Sequence, residues 1–360
     1  MDADLSHLVL ELVQWGVRDP AGLRWMTPPP AGAFAQAVDL LKRIGALNDR
    51  GGLTPAGERM AGLSVHPRLA AMMLRGVESG QERLAADLAA LISERDIVGR
   101  QPGSPNSADL DERLRLLRRW RDGGRKRTGG DGVDPSACAR VERASREWHK
   151  RLPRGAGSGE FPRLSVGGLL ARAYPDRIAQ TAGGDGTRYR LISGKGARLD
   201  GADPLTGTPF LVAPRLDAGR REGRIFLGAA IGLDELREIP GEAISRRSEV
   251  RWDSGGERVV ALEQERLGRL ILSERKIGQP DPEQVVSAMI EGVRALGPEV
   301  LPWSDAARAW QARLLSLRDW TGSADWPDVS DGALMEGLER WLAPWLQGVT
   351  RRDQLKRLDL

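Results

Sequence analysis

Basic side chains crowd one short stretch of this chain, where they are suited to binding phosphate groups. Residues 188–198 read RYRLISGKGAR, so four cations alternate with apolar and glycine residues. The candidate contacts, with one arginine that precedes the stretch, are Arg172, Arg188, Arg190, Lys195 and Arg198. The 194–198 loop offers glycine backbone N–H groups and two cations, which suits contact with a phosphate backbone. An ordinary charged hairpin explains the same residues equally well.

A second basic stretch spans residues 100–154. It holds 15 Lys and Arg against 8 Asp and Glu, and this local net charge of +7 exceeds the +4 of the whole chain. Within it, LRRWRDGGRKRTGGDG predicts a helix end followed by a glycine-rich loop. The candidate phosphate contacts here are Arg118, Arg119, Arg125, Lys126 and Arg127. A solvated helix face with a flexible loop is the alternative.

Residues for nucleotide hydrolysis are missing from the sequence. A P-loop needs GxxxxGK followed by Ser or Thr, but Gly194-Lys195 is followed by Gly196. LDERL and LDELR are helical charge patterns and not the acidic box that holds magnesium. His7, His66 and His149 are far apart and accompany a single cysteine, which disfavours a metal site. This chain alone is therefore expected to hold no cofactor and to hydrolyse no ATP.

The bulk composition is that of an ordinary soluble protein. Of its 360 residues, 40% are hydrophobic and 29% charged. Cys138 is the only cysteine, so no disulfide can form within the chain, and a reducing, cytoplasmic compartment is expected. The acidic start MDADLSHLVLEL does not resemble a signal peptide. No apolar run approaches the roughly 18 residues of a membrane helix, so no membrane partner is expected.

Helices are predicted for the first part of the chain. Residues 5–15 and 33–47 have apolar side chains at helical spacing. Thr54-Pro55 predicts a helix start, with Thr54 as N-cap and proline at the first helical position. His66-Pro67 repeats this pattern. Residues 63 to about 152 read as a helical bundle.

Beyond residue 166 the pattern changes to the alternation typical of strands. Strands are predicted at 188–192, 209–216, 224–231, 248–253 and 257–277. Five or six short strands separated by glycine-rich turns fit a small closed barrel of OB type. From Asp281 the chain reads as helical again, with Asp281 as N-cap and Pro282 at the first position. The predicted fold is a multidomain, mostly helical α+β protein with a small antiparallel β-barrel.

Tryptophan is concentrated towards the end of the sequence. Seven of the 11 Trp residues lie after residue 250. Trp341 and Trp345 are four residues apart on one predicted helix face, beside Leu338 and Leu342. Such a set is suited to stacking on nucleic-acid bases, but core packing of a small helical domain is the preferred interpretation.

Several short segments of the sequence together resemble one known protein family. They are LTPAGERMAGLSVHPRLAAMML at 53–74, WGVRDPAGLRWMTPPP at 15–30, YPDRIA at 174–179, and LPW, WPDVSD and WLAPWL in that order after residue 300. Together they resemble the bacterial HrpB-type members of the DEAH-box RNA helicases, over nearly the whole chain. The resemblance implies four parts: a winged-helix-like 1–62, a ratchet-like helical bundle 63–165, an OB-like β-barrel 166–279 and an incomplete HrpB-type C-terminal helical domain 280–360.

The resemblance also implies a function. In such helicases the accessory C-terminal domains close over RecA-like motor domains and line a channel for single-stranded RNA. ATP and magnesium belong to the motor domains, so this chain is expected to be a piece that is short at both ends. One alternative is a protein-interaction module that docks a partner at its Trp-rich end. A free-standing DNA-binding winged helix is disfavoured, because its recognition helix PAGERMAGL would have few basic residues.

Overall fold

The computed structural model describes residues 4–17, 19–99, 107–123, 132–153, 161–217, 222–239, 244–322 and 325–359. The mixed α/β chain forms two compact units. Unit 1 comprises Met1–Ile244 with Leu267–Leu270, and unit 2 comprises Ser245–Arg266 with Ile271–Leu360. Within the described ranges, no helix combines the length and the apolar character that crossing a membrane requires. The predicted division into four domains stays a prediction.

Unit 1 begins with three helices and a short wing. The helices are α1 (Ser6–Gln14), α2 (Ala31–Arg43) and α3 (Pro55–Gly62), with a 3₁₀ turn at Pro20–Gly22. Leu47 pairs with Leu53 across the turn between α2 and α3. The Thr54 Oγ1 atom accepts a hydrogen bond from the Gly57 N–H at 2.9 Å, which is the predicted cap. The helix predicted to reach residue 47 ends earlier, because Gly45 adopts a φ of 77°.

A helical bundle follows. Its helices are α4 (Pro67–Glu78), α5 (Glu82–Ser93), α6 (Leu110–Gly123), α7 (Pro135–Arg151) and α8 (Val166–Ala173). His66 begins α4 as predicted, and its Nδ1 atom accepts a hydrogen bond from the Arg68 N–H. Helix α8 lies very close to the backbone at Ala230, since a Cβ on Gly167 would lie 2.0 Å from the Ala230 carbonyl oxygen. This position therefore requires glycine.

Five short strands close into a barrel. They are β1 (Ile178–Thr181), β2 (Arg188–Leu191), β3 (Gly196–Arg198), β4 (Phe210–Leu216) and β5 (Glu222–Ala230). The order around the barrel is β1-β2-β3-β5-β4, and only the β3–β5 pair is parallel. Tyr189, Leu191, Ala197, Leu211 and Ile225 fill the interior. The Tyr189 hydroxyl donates a hydrogen bond to the Leu205 carbonyl oxygen at 2.6 Å, so this buried polar group is paired.

Two of the predicted barrel strands lie elsewhere. The segments predicted at 248–253 and 257–277 form a separate three-stranded sheet of β6 (Ile244–Asp253), β7 (Arg258–Leu267) and β8 (Leu270–Lys276), in the order β6-β7-β8. The prediction that they join the barrel is wrong, because the barrel is already closed by β1 and β3. Strands β1 and β3 were not predicted, because their four and three residues are too few to show an alternating pattern. The predicted strand at 257–277 turns at Gly268, whose φ is 57°.

Helices dominate the rest of the chain. They are α9 (Leu233–Arg237) in unit 1, and α10 (Pro282–Leu296), α11 (Asp305–Thr321), α12 (Asp331–Glu336), α13 (Leu338–Trp341) and α14 (Arg352–Leu355) in unit 2; further 3₁₀ turns span Pro175–Arg177, Pro298–Val300 and Ala343–Leu346. Helix α10 starts as predicted, with the Asp281 carboxylate accepting the Glu283 N–H. The segment from 330 to 346 is broken into three pieces, so Trp341 and Trp345 do not share one helix.

Unit 2 has its own apolar core. It contains Trp252, Met289, Val293, Leu338, Leu342 and Leu346. Trp341 packs against this core, its ring centroid lies 6.4 Å from that of Trp303, and its Nε1–H donates to the Leu334 carbonyl oxygen at 2.8 Å. Trp345 is 50% exposed. The core interpretation therefore fits Trp341, but Trp345 lies in a 3₁₀ turn and points to solvent.

Candidate nucleic-acid interface

Three arginines lie side by side on the outer surface of the barrel. In β2 the side chains of Tyr189 and Leu191 point inward, so Arg188 points outward. The strand register places Arg188 opposite Arg198 of β3, and Arg198 opposite Arg224 of β5. All three are exposed. We call Arg188, Arg198 and Arg224 the arginine row.

The arginine row concentrates positive charge, because side chains at paired positions of neighbouring strands are close together. Arg188 has a distant carboxylate partner, with 3.9 Å between its Nε atom and Glu222 Oε1. Arg224 pairs with Asp200 at 2.5 Å. Arg198 forms no ion pair or side-chain hydrogen bond with any described residue. The middle of the row thus holds a cation with unused donors.

Two further predicted residues extend this surface. Arg190 is exposed on β2, and Lys195 is exposed in the turn between β2 and β3. Neither forms an ion pair with any residue that the structure describes. The glycine N–H groups of this turn are less available than the sequence suggested, since the Gly194 N–H donates to the Leu191 carbonyl oxygen at 2.7 Å. Phosphate contacts here would have to come from side chains.

Three residues of this surface were missed by the sequence reasoning. Arg224 and Phe226 alternate outward along β5, a signal that the sequence did contain. The Arg224 guanidinium carbon lies 5.4 Å from the centre of the Phe226 ring, which is 40% exposed. Exposed Arg269 reaches the turn, because a Cβ on Gly194 would lie 3.3 Å from its Cγ atom. No local signal in the sequence predicts that Arg269 lies close to Gly194, which is distant from it in the chain.

Arg172 does not belong to this surface. It lies on α8, is half-buried, and has a pKa lowered to about 10 by burial and then by the positive charge of Arg75. Its Nε atom is buried without a hydrogen-bond partner in the described part of the chain. Its surroundings include Arg75 and Glu78 of α4, and its predicted role in binding RNA stays a prediction.

The second basic stretch is divided by the structure. Arg118 and Arg119 are exposed on α6, whereas Arg125, Lys126 and Arg127 lie outside the described residues. Two other arginines of α6 form internal ion pairs. Arg113 contacts Asp96 at 2.9 Å, and Arg121 contacts Asp87 at 2.6 Å. Part of the local excess of positive charge is therefore neutralised inside the bundle.

No metal centre is evident in what the structure describes, because no three His, Cys, Asp or Glu side chains are grouped to hold an ion.

Comparison with known proteins first defines a class. The family model described as "Helicase associated domain (HA2), winged-helix" matches residues 37–65, which include α3, the wing and most of α2. The chain therefore carries a helicase-associated region. A second family model, described as "ATP-dependent RNA helicase HrpB, connector region", matches residues 243–277, the segment of β6, β7 and β8.

The whole-chain comparisons are more specific. The chain is 33% identical to the ATP-dependent RNA helicase HrpB of Escherichia coli over 362 aligned residues, which cover all of this chain and 41% of that protein. Crystal structures titled as the E. coli DExH-box NTPase HrpB and the E. coli DEAH/RHA helicase HrpB match 99% of the chain and 41% of theirs. Their TM-scores are 0.58 and 0.57, at 32% and 31% identity.

The chain is thus homologous over its whole length to the HrpB helicases and corresponds to a C-terminal part of them, which confirms the resemblance seen in the sequence. It spans about two fifths of the length of this relative. A shorter match, 33% identical over 106 residues, covers 29% of the chain and 9% of the pre-mRNA-splicing factor prp22 of Schizosaccharomyces pombe, whose name also describes an ATP-dependent RNA helicase.

Proposed function

We propose that this chain serves as the accessory part of an HrpB-like ATP-dependent RNA helicase and that its barrel binds single-stranded RNA. The arginine row carries the proposal. The closed order β1-β2-β3-β5-β4 supports an OB-type barrel, and barrels of that type bind oligonucleotides on the outer face of strands 2 and 3. Arg188, Arg190 and Arg198 occupy that face here.

The side chains of this face are suited to binding RNA without reading its base sequence. Guanidinium groups bind phosphate oxygens with two parallel hydrogen bonds and keep their charge at every physiological pH. Contacts to phosphates fix the position of a strand without reading its bases. The exposed Phe226 ring next to Arg224 provides a surface on which any base can stack.

The rest of the assignment follows from the homology. We propose that the chain packs with RecA-like motor domains of the type its relatives carry and closes over them around the RNA. ATP and magnesium would be bound by those motor domains, because this sequence lacks the phosphate-binding and acidic motifs. We also propose that the protein acts in the cytoplasm.

Salt dependence separates RNA binding from the alternative of a protein-interaction module. We expect the purified chain to bind a single-stranded RNA of mixed sequence, with log affinity falling linearly as log salt rises. Each neutralised phosphate contributes about 0.7 to the slope of a single strand, so three or four contacts give a slope of about −2 to −3. Fluorescence anisotropy between about 50 and 200 mM salt measures it. Absence of binding at the lowest salt would contradict the proposal and favour the interaction module.

A further inference from the structure

Arg172 on α8 is a cation without a partner. Its side chain is half-buried, yet its guanidinium forms no hydrogen bond or ion pair with any residue that the structure describes. The buried Nε atom is one of these unused donors. Burying a charged group without a hydrogen-bond partner costs free energy, and folded proteins pair nearly all such groups. The guanidinium of Arg172 is therefore placed to receive a partner that the described part of the chain does not provide.

A second arginine lies beside it on α4, the helix against which α8 packs. The side chain of Arg75 is only 13% exposed, and its guanidinium makes one hydrogen bond, from Nη1 to Glu78 Oε2 at 3.2 Å. The Nε atom of Arg75 is also buried without a partner. Burial lowers the pKa of Arg172, and the positive charge of Arg75 lowers this pKa further. Two cations with unused N–H donors thus lie close together.

The carboxylates around this pair do not neutralise it. Glu78 is already paired with Arg75. Glu235 of α9 accepts two hydrogen bonds from the N-cap residue of α8, at 2.7 and 2.6 Å, and Glu238 is exposed to water. None of the three forms an ion pair with Arg172, and their negative charges only partly offset the effect of its burial. The pair therefore retains a requirement for an anion.

An aromatic ring contacts the same pair. The guanidinium carbon of Arg75 lies 4.1 Å from the centre of the Phe161 ring, which is a favourable cation–π distance. This contact helps to hold the guanidinium in place without using its N–H donors. The ring itself is 42% exposed. Apolar aromatic surface is therefore left in solvent next to the two cations.

We propose that Arg75 and Arg172 bind a phosphate group at the junction of α4 and α8. Guanidinium groups form parallel, charge-assisted hydrogen bonds with phosphate oxygens and are weakly hydrated, which suits a half-buried site. A bound phosphate removes the repulsion between the two arginines and accepts hydrogen bonds from their unused terminal nitrogens. The phosphate belongs either to single-stranded RNA, which presupposes that the chain binds RNA, or to a free phosphate compound.

Titration of inorganic phosphate with the protein at constant ionic strength, followed by phosphorus NMR, tests the site. We expect Arg172→Met, which keeps the apolar stem, to bind phosphate at least about tenfold more weakly than the wild type. Arg172→Lys keeps the charge but loses the planar fork, so its affinity should lie between the two. The matched control is Lys195→Ala with Arg198→Ala on the barrel, which should bind phosphate like the wild type. Equal binding by the wild type and Arg172→Met, or an equal loss in the barrel variant, overturns the proposal.

The melting temperature in chloride buffer without phosphate gives a second test and checks folding. Arg172→Met should melt no lower than the wild type, because it removes a half-buried charge whose lowered pKa shows that the fold disfavours it. A residue with a purely structural role would show the opposite. A clearly lower melting temperature would mean that Arg172 already has a stabilising partner within the chain, and would overturn the proposal.

The affinity for single-stranded RNA identifies the source of the phosphate. If the source is RNA, Arg172→Met should weaken RNA binding and flatten the salt slope by about 0.7. If the source is a free phosphate compound, the variant should keep the RNA affinity of the wild type while losing inorganic phosphate. Both results support the site. Absence of RNA binding by the wild type would contradict the proposed function alone, because inorganic phosphate tests the site without RNA.

Discussion

Replacing Arg121 with alanine is expected to lower the free energy of unfolding by about 3 kcal/mol. Its guanidinium bridges two buried carboxylates of neighbouring helices. Nη1 and Nη2 contact the Asp87 oxygens at 2.7 and 2.6 Å, and Nε contacts Glu142 at 2.5 Å. Removing the arginine takes away the cation that contacts both buried carboxylates most closely, although Arg146 still pairs with Glu142. Arg83 reaches the same two carboxylates from the rim and keeps the loss at the lower end of the usual range.

Chemical denaturation measures this loss, and a neighbouring residue provides the control. Arg119 is exposed on the same helix and forms no ion pair with a described residue, so Arg119→Ala should change the free energy of unfolding by less than about 0.5 kcal/mol. A loss for Arg121→Ala no larger than that of Arg119→Ala would show that the network does not stabilise the bundle.

The same network sets a pH dependence. Burial alone raises the pKa of Glu142, but the hydrogen bonds and positive charges of Arg121 and Arg83 outweigh it and lower the pKa overall. A carboxyl group with a lowered pKa stabilises the fold above its unfolded pKa of about 4.3 and loses this effect as pH falls through the folded pKa. The difference in the free energy of unfolding between the wild type and Arg121→Ala should therefore be largest at neutral pH and become smaller in acid.

Replacing Trp341 with alanine is expected to cost about 3 kcal/mol, because it removes a large ring from the unit 2 core. The value lies at the low end for aromatic truncation, since the ring is only partly buried. The Leu334 carbonyl oxygen also loses its 2.8 Å hydrogen bond. Thermal melting measures the change, and Trp345→Ala is the matched control at an exposed site. If Trp341→Ala melts like the wild type but loses RNA binding, the residue is a stacking surface and the core interpretation fails.

Local signals in the sequence predicted the helix starts well. Thr54, His66 and Asp281 each accept a backbone N–H within the next three residues, and each is followed by proline. Such caps depend only on neighbouring residues and are therefore readable from a short stretch. The homology to HrpB was also visible in the sequence, because it rests on phrases spread along the chain.

The pairing of strands that are distant in the chain could not be predicted from the sequence. The arginine row depends on a parallel pair between β3 and β5, whose paired residues Arg198 and Arg224 are 26 positions apart. Strand β3 has three residues and reads as part of a turn. The local net charge of 100–154 was also misleading, because charge counts do not show that Arg113 and Arg121 are paired with acids inside the bundle.

Binding of RNA phosphates by the barrel face can be tested directly. Replacing Lys195 and Arg198 together with alanine tests it, because both side chains are exposed and have no carboxylate partner among the described residues. Little stability should be lost. The matched control is Lys356→Ala with Arg357→Ala, which removes the same two charges from exposed positions of unit 2. The melting temperatures of both double variants confirm that they fold.

The decisive measurement is single-stranded RNA affinity at several salt concentrations for the wild type and both double variants. Loss of Lys195 and Arg198 should weaken binding at every salt concentration and flatten the slope by up to about 1.4, since each phosphate contact contributes about 0.7. The effect should be the same for RNAs of different sequence, and the control should retain the affinity and slope of the wild type. An unchanged affinity and slope, or an equal loss in the control, would contradict the account and leave Arg118 and Arg119 of α6 as the next candidates.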